Sequence, residues 1–388
     1  MKNSNQLLKL ISINLTILIS LLISPHIFLQ VFLKVRDLTY TKQNKTIDPA
    51  ANYPIFNNKE MSQDLLRNID KLNSNYKPYI ISRTSDFKSK YLNISGKYNA
   101  RRSIGEEINN STWFFGGSSM WGYGSSDQGT IPSIYNKLTK KSVFNFGDQN
   151  WTARQSLNQL ISVIADGYSP SNVIFYDGVN DVSIGCNKNI KDFPSSDSVG
   201  TISKALGMRG NSMETFSYSI QKFYEEVLES YNRIGRKFKL NLSSKSNKNV
   251  DFYDCHNNPI KRRKIAAHLV NDWYSAYQLA KANNSNFHAI LQPTLFSSES
   301  SYEYFSKQEK SLLAARKKQF DSVYPAIIKE VNKKCNLDPY FCDSFVDGSK
   351  WIPKSSQVFI DFCHITQEGN LIVVKELINH IENNLTIN

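Results

Sequence analysis

The sequence predicts an α/β fold built around a central parallel sheet, and three observations lead to that prediction. From residue 111 onward, short apolar segments alternate with longer segments of helical periodicity. Such alternation is typical of parallel strands joined by crossover helices. Glycines and polar residues follow several of the apolar segments, as expected of loops at one edge of such a sheet. The composition is globular, with 40% hydrophobic and 21% charged residues, which argues against a disordered or fibrous protein.

The first fifty residues contain a candidate membrane anchor. Between Lys9 and Lys34 the chain carries no Asp, Glu, Lys or Arg, and at about 1.5 Å per helical residue this segment is long enough to cross a bilayer. We predict one transmembrane anchor within residues 1–36. Two alternatives stay open. One is a cleaved signal peptide, although no small-residue cleavage site follows the apolar stretch, and the other is a buried helix interrupted by Pro25.

Charge and cysteine content favour opposite sides of the membrane for the large domain. The basic residues after the anchor, such as Lys34 and Arg36, favour a cytoplasmic domain. The cysteines favour an oxidising compartment, because four of them could form two disulfides, with free buried thiols as the alternative: Cys186, Cys255, Cys335 and Cys342. Large domains are exported despite flanking charge. We therefore expect a single-pass membrane protein whose large domain lies on the periplasmic, extracytoplasmic side.

The net charge of +13, from 47 Lys and Arg against 34 Asp and Glu, bears on the choice of partner. A basic surface suits nucleic acid, anionic lipid or acidic polysaccharide, although a solvated face without any partner is commoner. The sequence has no Lys/Arg tract interleaved with aromatic residues. We therefore expect no nucleic-acid partner.

Residues 37–107 are polar, and we predict a stalk and lead-in with one short helix near residues 61–72. The α/β domain is predicted over residues 108–388. Its first three strands are STWFFGG, SVFNFG and NVIFYDG, and the helices between them span residues 131–138 and 153–165.

An insertion at about residues 183–264 interrupts the alternation. It holds one helical candidate, residues 214–238, followed by a polar and cationic segment that we predict to be a loop. The alternation then resumes with the remaining predicted elements: a helix at 265–282, the strand FHAILQP, a helix at 306–332, the strand DSFVDGS and a last helix at 366–384.

Three segments at predicted strand ends carry candidate chemistry. Ser118 lies in a glycine-rich strand-to-helix turn, where a hydroxyl is exposed and backbone N–H groups converge. Asn180, after the third strand, could donate to an oxyanion. Asp361 precedes His364 by three residues, close enough to orient the imidazole from the same loop. Each signal is weak alone.

Taken together and in this order, the segments resemble the SGNH hydrolase family, also called GDSL-like esterases. Gly116 to Gly122 matches the first block, with Gly117 in place of the usual Asp. The motif G-x-N-D ends at Asp181, and D-x-x-H ends at His364. The resemblance covers about residues 111–384, and it implies a flavodoxin-like three-layer α/β/α sandwich with a central parallel sheet.

The second block is where the chain departs from the family. Asn145 to Thr152 looks like N-x-x-x-x-G-x-T, but Asn150 stands at the glycine position. That glycine lends a backbone N–H to the oxyanion hole in the family. Asn tolerates a left-handed backbone better than most residues, so Asn150 remains the expected donor. Gly147 is the alternative.

The resemblance implies nucleophilic acyl transfer without a metal or an organic cofactor. Ser118 would attack an ester carbonyl, His364 would take and return the proton, and Asp361 would fix the imidazole tautomer. The oxyanion would be held by the N–H groups of Ser118 and Asn150 and by the amide of Asn180.

The ester itself is less defined, because the family acts on lipids, acetylated glycans, thioesters and other acyl esters. The predicted anchor, the basic charge and the many Tyr and Trp favour O-acyl groups of a cell-envelope glycan. Three alternatives stay open: an O-acetyltransferase that uses the same triad, a lipase with the insertion as a lid, and a catalytically silent glycan-binding or assembly protein. The replacement at Asn150 suggests the last of these.

Three nearby residues have secondary interpretations. Cys363, between the predicted triad members, is expected to pack in the interior, with a redox-sensitive thiol as the alternative. Gln292 ends the fourth strand and could line the site or only terminate the strand. Thr366 is expected to cap the last helix.

Overall fold

The computed structural model describes residues 48–188, 190 and 252–385. The predicted membrane anchor, the first part of the predicted stalk and the helical candidate at 214–238 lie outside these residues. None of the described helices combines the length and apolarity that a bilayer crossing requires.

Residues 48–101, within the predicted stalk and lead-in, form one 3₁₀ helix (Pro49–Asn52), one α-helix and five short strands. The helix predicted near residues 61–72 is confirmed as α1 (Lys59–Ile69), which begins after Asn58, whose side chain accepts a hydrogen bond from the N–H of Met61. The strands pair antiparallel, β1 with β2 and β4 with both β3 and β5. Their bounds are β1 (Ser74–Lys77), β2 (Ile81–Thr84), β3 (Phe87–Lys88), β4 (Asn93–Ser95) and β5 (Ala100–Arg101).

The predicted α/β architecture with a central parallel sheet is confirmed. Five parallel strands follow, and each matches a predicted strand: β6 (Thr112–Gly116), β7 (Val143–Asn145), β8 (Asn172–Asp177), β9 (Asn286–Leu291) and β10 (Phe345–Val346). They pair in the order β10-β9-β8-β6-β7, which is the flavodoxin-like 2-1-3-4-5 order. Every residue of β6 and β8 is buried, as expected of strands with helices on both faces.

Within the described ranges, nine further α-helices connect and cover these strands. Their bounds are α2 (Ser118–Trp121), α3 (Ile131–Thr139), α4 (Ala153–Ala165), α5 (Val179–Gly185), α6 (Pro259–Ala282), α7 (Leu295–Ser298), α8 (Lys307–Leu337), α9 (Pro339–Asp343) and α10 (Gln367–Leu385). Helix α3, which connects β6 to β7, packs against α10 on one face of the sheet, as expected of right-handed crossovers. On the other face, α6 packs against α4 and α8.

The starts of two helices differ from the prediction, one in its position and the other in its cap. Helix α6 begins at Pro259, within the segment that we predicted as a cationic loop, because the Asn258 side chain accepts from the N–H of Lys261 and proline is tolerated in the first turn. Thr366 precedes α10 as expected, and its carbonyl accepts from the N–H of Asn370. Its hydroxyl, however, has no hydrogen-bond partner among the described residues, so the side-chain cap is not formed.

The four cysteines that could form two disulfides do so, with a pairing that the sequence left open. Cys186 pairs with Cys255, and Cys335 pairs with Cys342. The first bond joins the residue after α5 to the segment before α6, at the base of the predicted insertion. The second joins the end of α8 to α9.

Candidate active site

The carboxyl end of β6 places Ser118 at a sharp turn into a helix. Gly117 is the N-cap, and Ser118 is the first residue of α2. Its side chain is partly buried. None of the described residues accepts a hydrogen bond from its backbone N–H. The turn therefore offers both a hydroxyl and an unused donor at the sheet edge where α/β folds carry their sites.

Ser118, His364 and Asp361 lie together in a chain of two hydrogen bonds. The Oγ of Ser118 lies 2.6 Å from the Nε2 of His364. The Nδ1 of the same ring lies 2.5 Å from the Oδ2 of Asp361. A neutral imidazole with its proton on Nδ1 donates to the carboxylate and accepts from the serine hydroxyl. This arrangement can activate the hydroxyl as a nucleophile.

The loop between Asp361 and His364 holds the carboxylate in place. The second carboxylate oxygen, Oδ1, accepts from the backbone N–H groups of Cys363 and His364, each at 2.8 Å. Burial acts to raise the pKa of Asp361, but the charge and hydrogen bond of His364 and the two backbone donors outweigh it and lower the pKa to about 2. Asp361 is therefore ionised across the whole physiological range.

Tyr123 covers the imidazole. Its ring stacks on that of His364, with centroids 4.1 Å apart and planes 25° apart. Burial, followed by the charge of Asp361, raises the pKa of Tyr123 well above its ordinary value, so the phenol stays neutral. No sequence pattern indicated this residue, because a tyrosine five positions after a serine has no motif of its own.

The structure separates the two candidates for the second oxyanion donor. The N–H of Gly147 donates to the Oδ1 of Asn145 at 3.0 Å, so it is already used within the turn. Asn150 adopts a left-handed backbone with φ of 58°, the conformation that the family's glycine would take most easily. None of the described residues accepts from the N–H of Asn150. The geometry therefore favours Asn150 over Gly147 as a donor.

Asn180 lies on the first turn of α5, beside the Asn150 loop. Gly178 precedes the helix with φ of 110°, a backbone that turns the chain sharply at the end of β8. The Nδ2 of Asn180 donates to the carbonyl oxygen of Trp151 at 2.8 Å. One amide hydrogen thus ties the two loops together, and the other is available for a ligand.

Gln292 joins the nucleophile turn to the acid–base loop. Its Nε2 donates to the Oγ of Ser119 at 2.7 Å and to the carbonyl oxygen of Cys363 at 3.1 Å. The Tyr324 hydroxyl donates to the carbonyl of Gln292 at 2.8 Å. The side chain is buried. Gln292 therefore braces the turn that carries Ser118 against the loop that carries His364. Its position at a strand end was compatible with this role but did not predict it.

Three carboxylates close to the segments that carry Asn150 and Asn180 are buried: Asp177, Asp181 and Asp272. The Oδ1 of Asp181 accepts from the N–H of Ala153, at the start of α4, at 3.2 Å. Arg154 forms an ion pair with Asp272 at 2.7 Å. Burial, followed by the charge of Asp181, raises the pKa of Asp177. Burial, followed by the charge of Asp272, raises the pKa of Asp181 to about 7.

Cys363 is buried and not in a disulfide. Burial, followed by the charge of Asp361, raises the pKa of its thiol well above the ordinary value, so the reactive thiolate is disfavoured. This supports packing rather than redox sensing. Asp361, Cys363 and His364 also offer ligand atoms within 4.8 Å of one another. We assign them no metal, because Asp361 and His364 are already hydrogen-bonded to each other.

Comparisons with known proteins give structural likeness only. No protein-family model matches the chain, and no curated protein matches its sequence. A member of the lipolytic G-D-S-L family from Veillonella parvula DSM 2008 is 9% identical, with a TM-score of 0.37, over 69% of this chain and 96% of that one. A GDSL-like lipase from Bacteroides thetaiotaomicron VPI-5482 is 14% identical, with a TM-score of 0.34, over 71% and 88%.

These values are too low to carry an argument about activity. The resemblance to SGNH hydrolases therefore depends on this chain's own features: four motif blocks in order, a parallel sheet of flavodoxin-like order, and a Ser–His–Asp chain at its carboxyl edge. In these features the chain is SGNH hydrolase-like.

Proposed function

We propose that this chain is a serine ester hydrolase of SGNH type. One observation carries the proposal: Ser118, His364 and Asp361 form a continuous chain of hydrogen bonds, with distances of 2.6 and 2.5 Å. Turn residues and surface bases that meet by chance rarely align a hydroxyl, an imidazole and an ionised carboxylate in this way. The alignment also argues against a catalytically silent binding protein.

Acylation begins when the Oγ of Ser118 attacks the ester carbonyl carbon. The hydroxyl proton passes to the Nε2 of His364 as the new C–O bond forms, and Asp361 stabilises the resulting imidazolium through Nδ1. The carbonyl electron pair moves onto oxygen to give a tetrahedral oxyanion. Collapse of this intermediate expels the alcohol, which takes the proton back from His364.

The oxyanion is stabilised by three donors on three loops. They are the backbone N–H groups of Ser118 and Asn150 and the free amide hydrogen of Asn180. Removing one such donor typically costs on the order of 10²–10³ in kcat. Water then attacks the acyl-serine, with His364 as the base, and releases the carboxylic acid and free Ser118.

For the substrate, we propose O-acyl groups on a cell-envelope glycan, with the active domain on the periplasmic side of the membrane. Three features support this choice: the predicted anchor within residues 1–36, two disulfides that suit an oxidising compartment, and a net charge of +13 that suits an acidic polysaccharide.

The first test is labelling of the full chain with a fluorophosphonate, together with hydrolysis of p-nitrophenyl acetate. We expect wild type to label and hydrolyse, and Ser118→Ala to do neither. Ser126→Ala is the matched control, because its hydroxyl contacts Gln367 rather than the triad, and it should behave as wild type. Labelling that survives Ser118→Ala would overturn the proposal.

The second test addresses the substrate. Acetylated acidic polysaccharide and acetylated neutral polysaccharide are offered to wild type and to Ser118→Ala, and released acetate is measured. Release by wild type alone supports the glycan proposal. Preferred transfer of the acetyl group to an added oligosaccharide, rather than to water, would identify a transferase that uses the same acyl-enzyme. Failure on both glycans with full activity on p-nitrophenyl acetate would overturn the substrate and leave the esterase.

A further inference from the structure

Two buried arginines reach the active-site loops from the N-terminal segment, outside the part of the chain that resembles the family. Arg83 lies on β2 and Arg101 lies on β5, and their side chains are 2% and 0% exposed. Each guanidinium lies over a tryptophan ring at 4.7 Å, Arg83 over Trp151 and Arg101 over Trp121. The same arrangement thus occurs twice, once beside Asn150 and once at the end of α2.

Arg83 holds the start of the loop that carries Asn150. Its Nη1 donates to the carbonyl oxygen of Phe146 at 2.6 Å, and its Nε lies 3.5 Å from the Oδ2 of Asp148. The neighbouring Thr84 donates its N–H to the same carboxylate at 2.7 Å. Strand β2 therefore fixes the loop immediately before the left-handed residue.

The end of that loop is held from the same strand. The indole Nε1 of Trp151 donates to the carbonyl oxygen of Ser82 at 3.0 Å, while Arg83 packs over the ring. The carbonyl of Trp151 is the acceptor for Asn180. The loop is therefore held on both sides of Asn150. Through Trp151, the same contacts also reach Asn180, the third proposed oxyanion donor.

Arg101 acts in the same way on the loop after Ser118. Its Nη2 donates to the carbonyl oxygen of Ser125 at 2.7 Å, its Nη1 lies 3.5 Å from that of Gly122, and its Nε donates to Asp127 at 2.8 Å. These carbonyls bracket Tyr123, which stacks on His364. The position of the catalytic imidazole is thus linked to Arg101 through one aromatic ring.

Stability alone explains these residues poorly. Burial lowers the pKa of both arginines, against the opposing charges of Asp148 and Asp127, and desolvating a charge is costly even when it is paired. The Nη2 of Arg83 also has no hydrogen-bond partner among the described residues, which adds a further cost. Such a pair favours a unique geometry more than a large free energy of unfolding.

We propose that Arg83 and Arg101 are positioning residues of the active site. Arg83 sets the oxyanion loop and its contact with Asn180, and Arg101 holds Tyr123 against His364. The proposal depends on the esterase activity proposed above.

The first experiment compares Arg83→Met with Val173→Ala in the full chain. Val173 is a fully buried residue near the amino end of β8, away from the site, so its truncation lowers stability alone. We expect Arg83→Met to lower kcat for p-nitrophenyl acetate by about 10- to 100-fold with KM changed less than about threefold, and Val173→Ala to leave kcat unchanged. Equal behaviour of the two variants would overturn the proposal.

A double-mutant cycle separates positioning from general stability. If Arg83 acts through the oxyanion hole, Arg83→Met costs much less kcat when Asn180→Ala has already removed a donor. Fully additive effects would refute this link. Should Arg83→Met fail to fold, Thr84→Val removes one hydroxyl partner of Asp148 and retains the arginine. We then expect a kcat loss of about 3- to 10-fold, with the same non-additivity.

Arg101 is tested with Tyr123. Arg101→Met and Tyr123→Leu should each lower kcat, and the double variant should lose little more than the worse single variant. Independent losses, or full activity of folded Arg101→Met, would refute its positioning role. Ser118→Ala keeps the two proposals apart. If it stays active, the esterase proposal fails. If it is inactive while both arginine variants match Val173→Ala, only the positioning proposal fails.

Discussion

A side chain at position 117 would collide with the amide of Asn180. A Cβ added to Gly117 would lie 2.3 Å from the Nδ2 of Asn180 and 3.1 Å from the carbonyl oxygen of Trp151. The glycine that replaces the family's usual Asp therefore leaves room for the close approach of the Asn180 amide.

This contact predicts the effect of Gly117→Ala. The backbone of Gly117, with φ of −80°, suits alanine, so the substitution should displace Asn180 rather than strain the chain. We expect kcat to fall on the order of 100-fold, measured with p-nitrophenyl acetate. Gly96→Ala is the control, because nothing lies within 4 Å of its added Cβ and its φ is 85°. It should cost about 1–2 kcal/mol of stability and leave kcat intact. Equal activity of both variants would contradict the prediction.

Gln292→Leu should uncouple the nucleophile turn from the acid–base loop. The leucine fills similar space but loses both donations from Nε2, to Ser119 and to Cys363. We expect kcat to fall by about 10-fold or more, since small misplacements of catalytic groups are costly. Ser285→Ala, which removes a buried hydrogen bond just before β9, should leave kcat unchanged. A kcat for Gln292→Leu within twofold of wild type would contradict this role of Gln292.

Asp361→Asn should abolish most activity and change the acid dependence of stability. The asparagine amide carries no charge to stabilise the imidazolium, and its NH2 group favours the wrong imidazole tautomer, so we expect kcat to fall on the order of 10³–10⁴-fold. The pKa of Asp361 is lowered to about 2. Its stabilising contribution is therefore fully present above about pH 4 and lost as the pH falls through about 2. Denaturant unfolding of both proteins should converge in that window, and a constant difference down to pH 2 would be evidence against it.

Asp181→Asn should affect stability in the opposite pH direction. Burial and the charge of Asp272 raise the pKa of Asp181 to about 7, so the folded protein binds its proton more tightly than the unfolded chain does. The contribution is fully present below about pH 4 and lost as the pH rises through about 7. The free energy of unfolding of wild type should fall across this window, and Asp181→Asn should flatten the fall. Val173→Ala should shift the curve without changing its slope.

Local sequence patterns predict the triad residues but few of the contacts that hold them in place. Asp361 and His364 lie in one motif, and Ser118 sits on a glycine turn, so short-range patterns placed all three. The supporting contacts join distant parts of the chain, such as Gln292 and Ser119, which are separated by 173 positions. No short-range pattern encodes such a pair.

The strands that carry Arg83 and Arg101 were missed for a related reason. Strand β5 has two residues, too few for a period-2 pattern, and buried arginines make a strand look like a polar loop. Their guanidinium groups donate to carbonyl oxygens and to a carboxylate on other elements. Tertiary contacts therefore stabilise these strands, although the polarity of the local sequence is typical of a loop.

The disulfide between Cys186 and Cys255 joins residues 69 positions apart, with their Cα atoms 5.1 Å from each other. The bond thus holds the residue after α5 close to the segment that precedes α6. In the unfolded chain the same bond closes a long loop, which reduces the number of conformations that the unfolded chain can adopt. The cross-link therefore favours the folded state from the unfolded side, without any contact to Ser118 or His364.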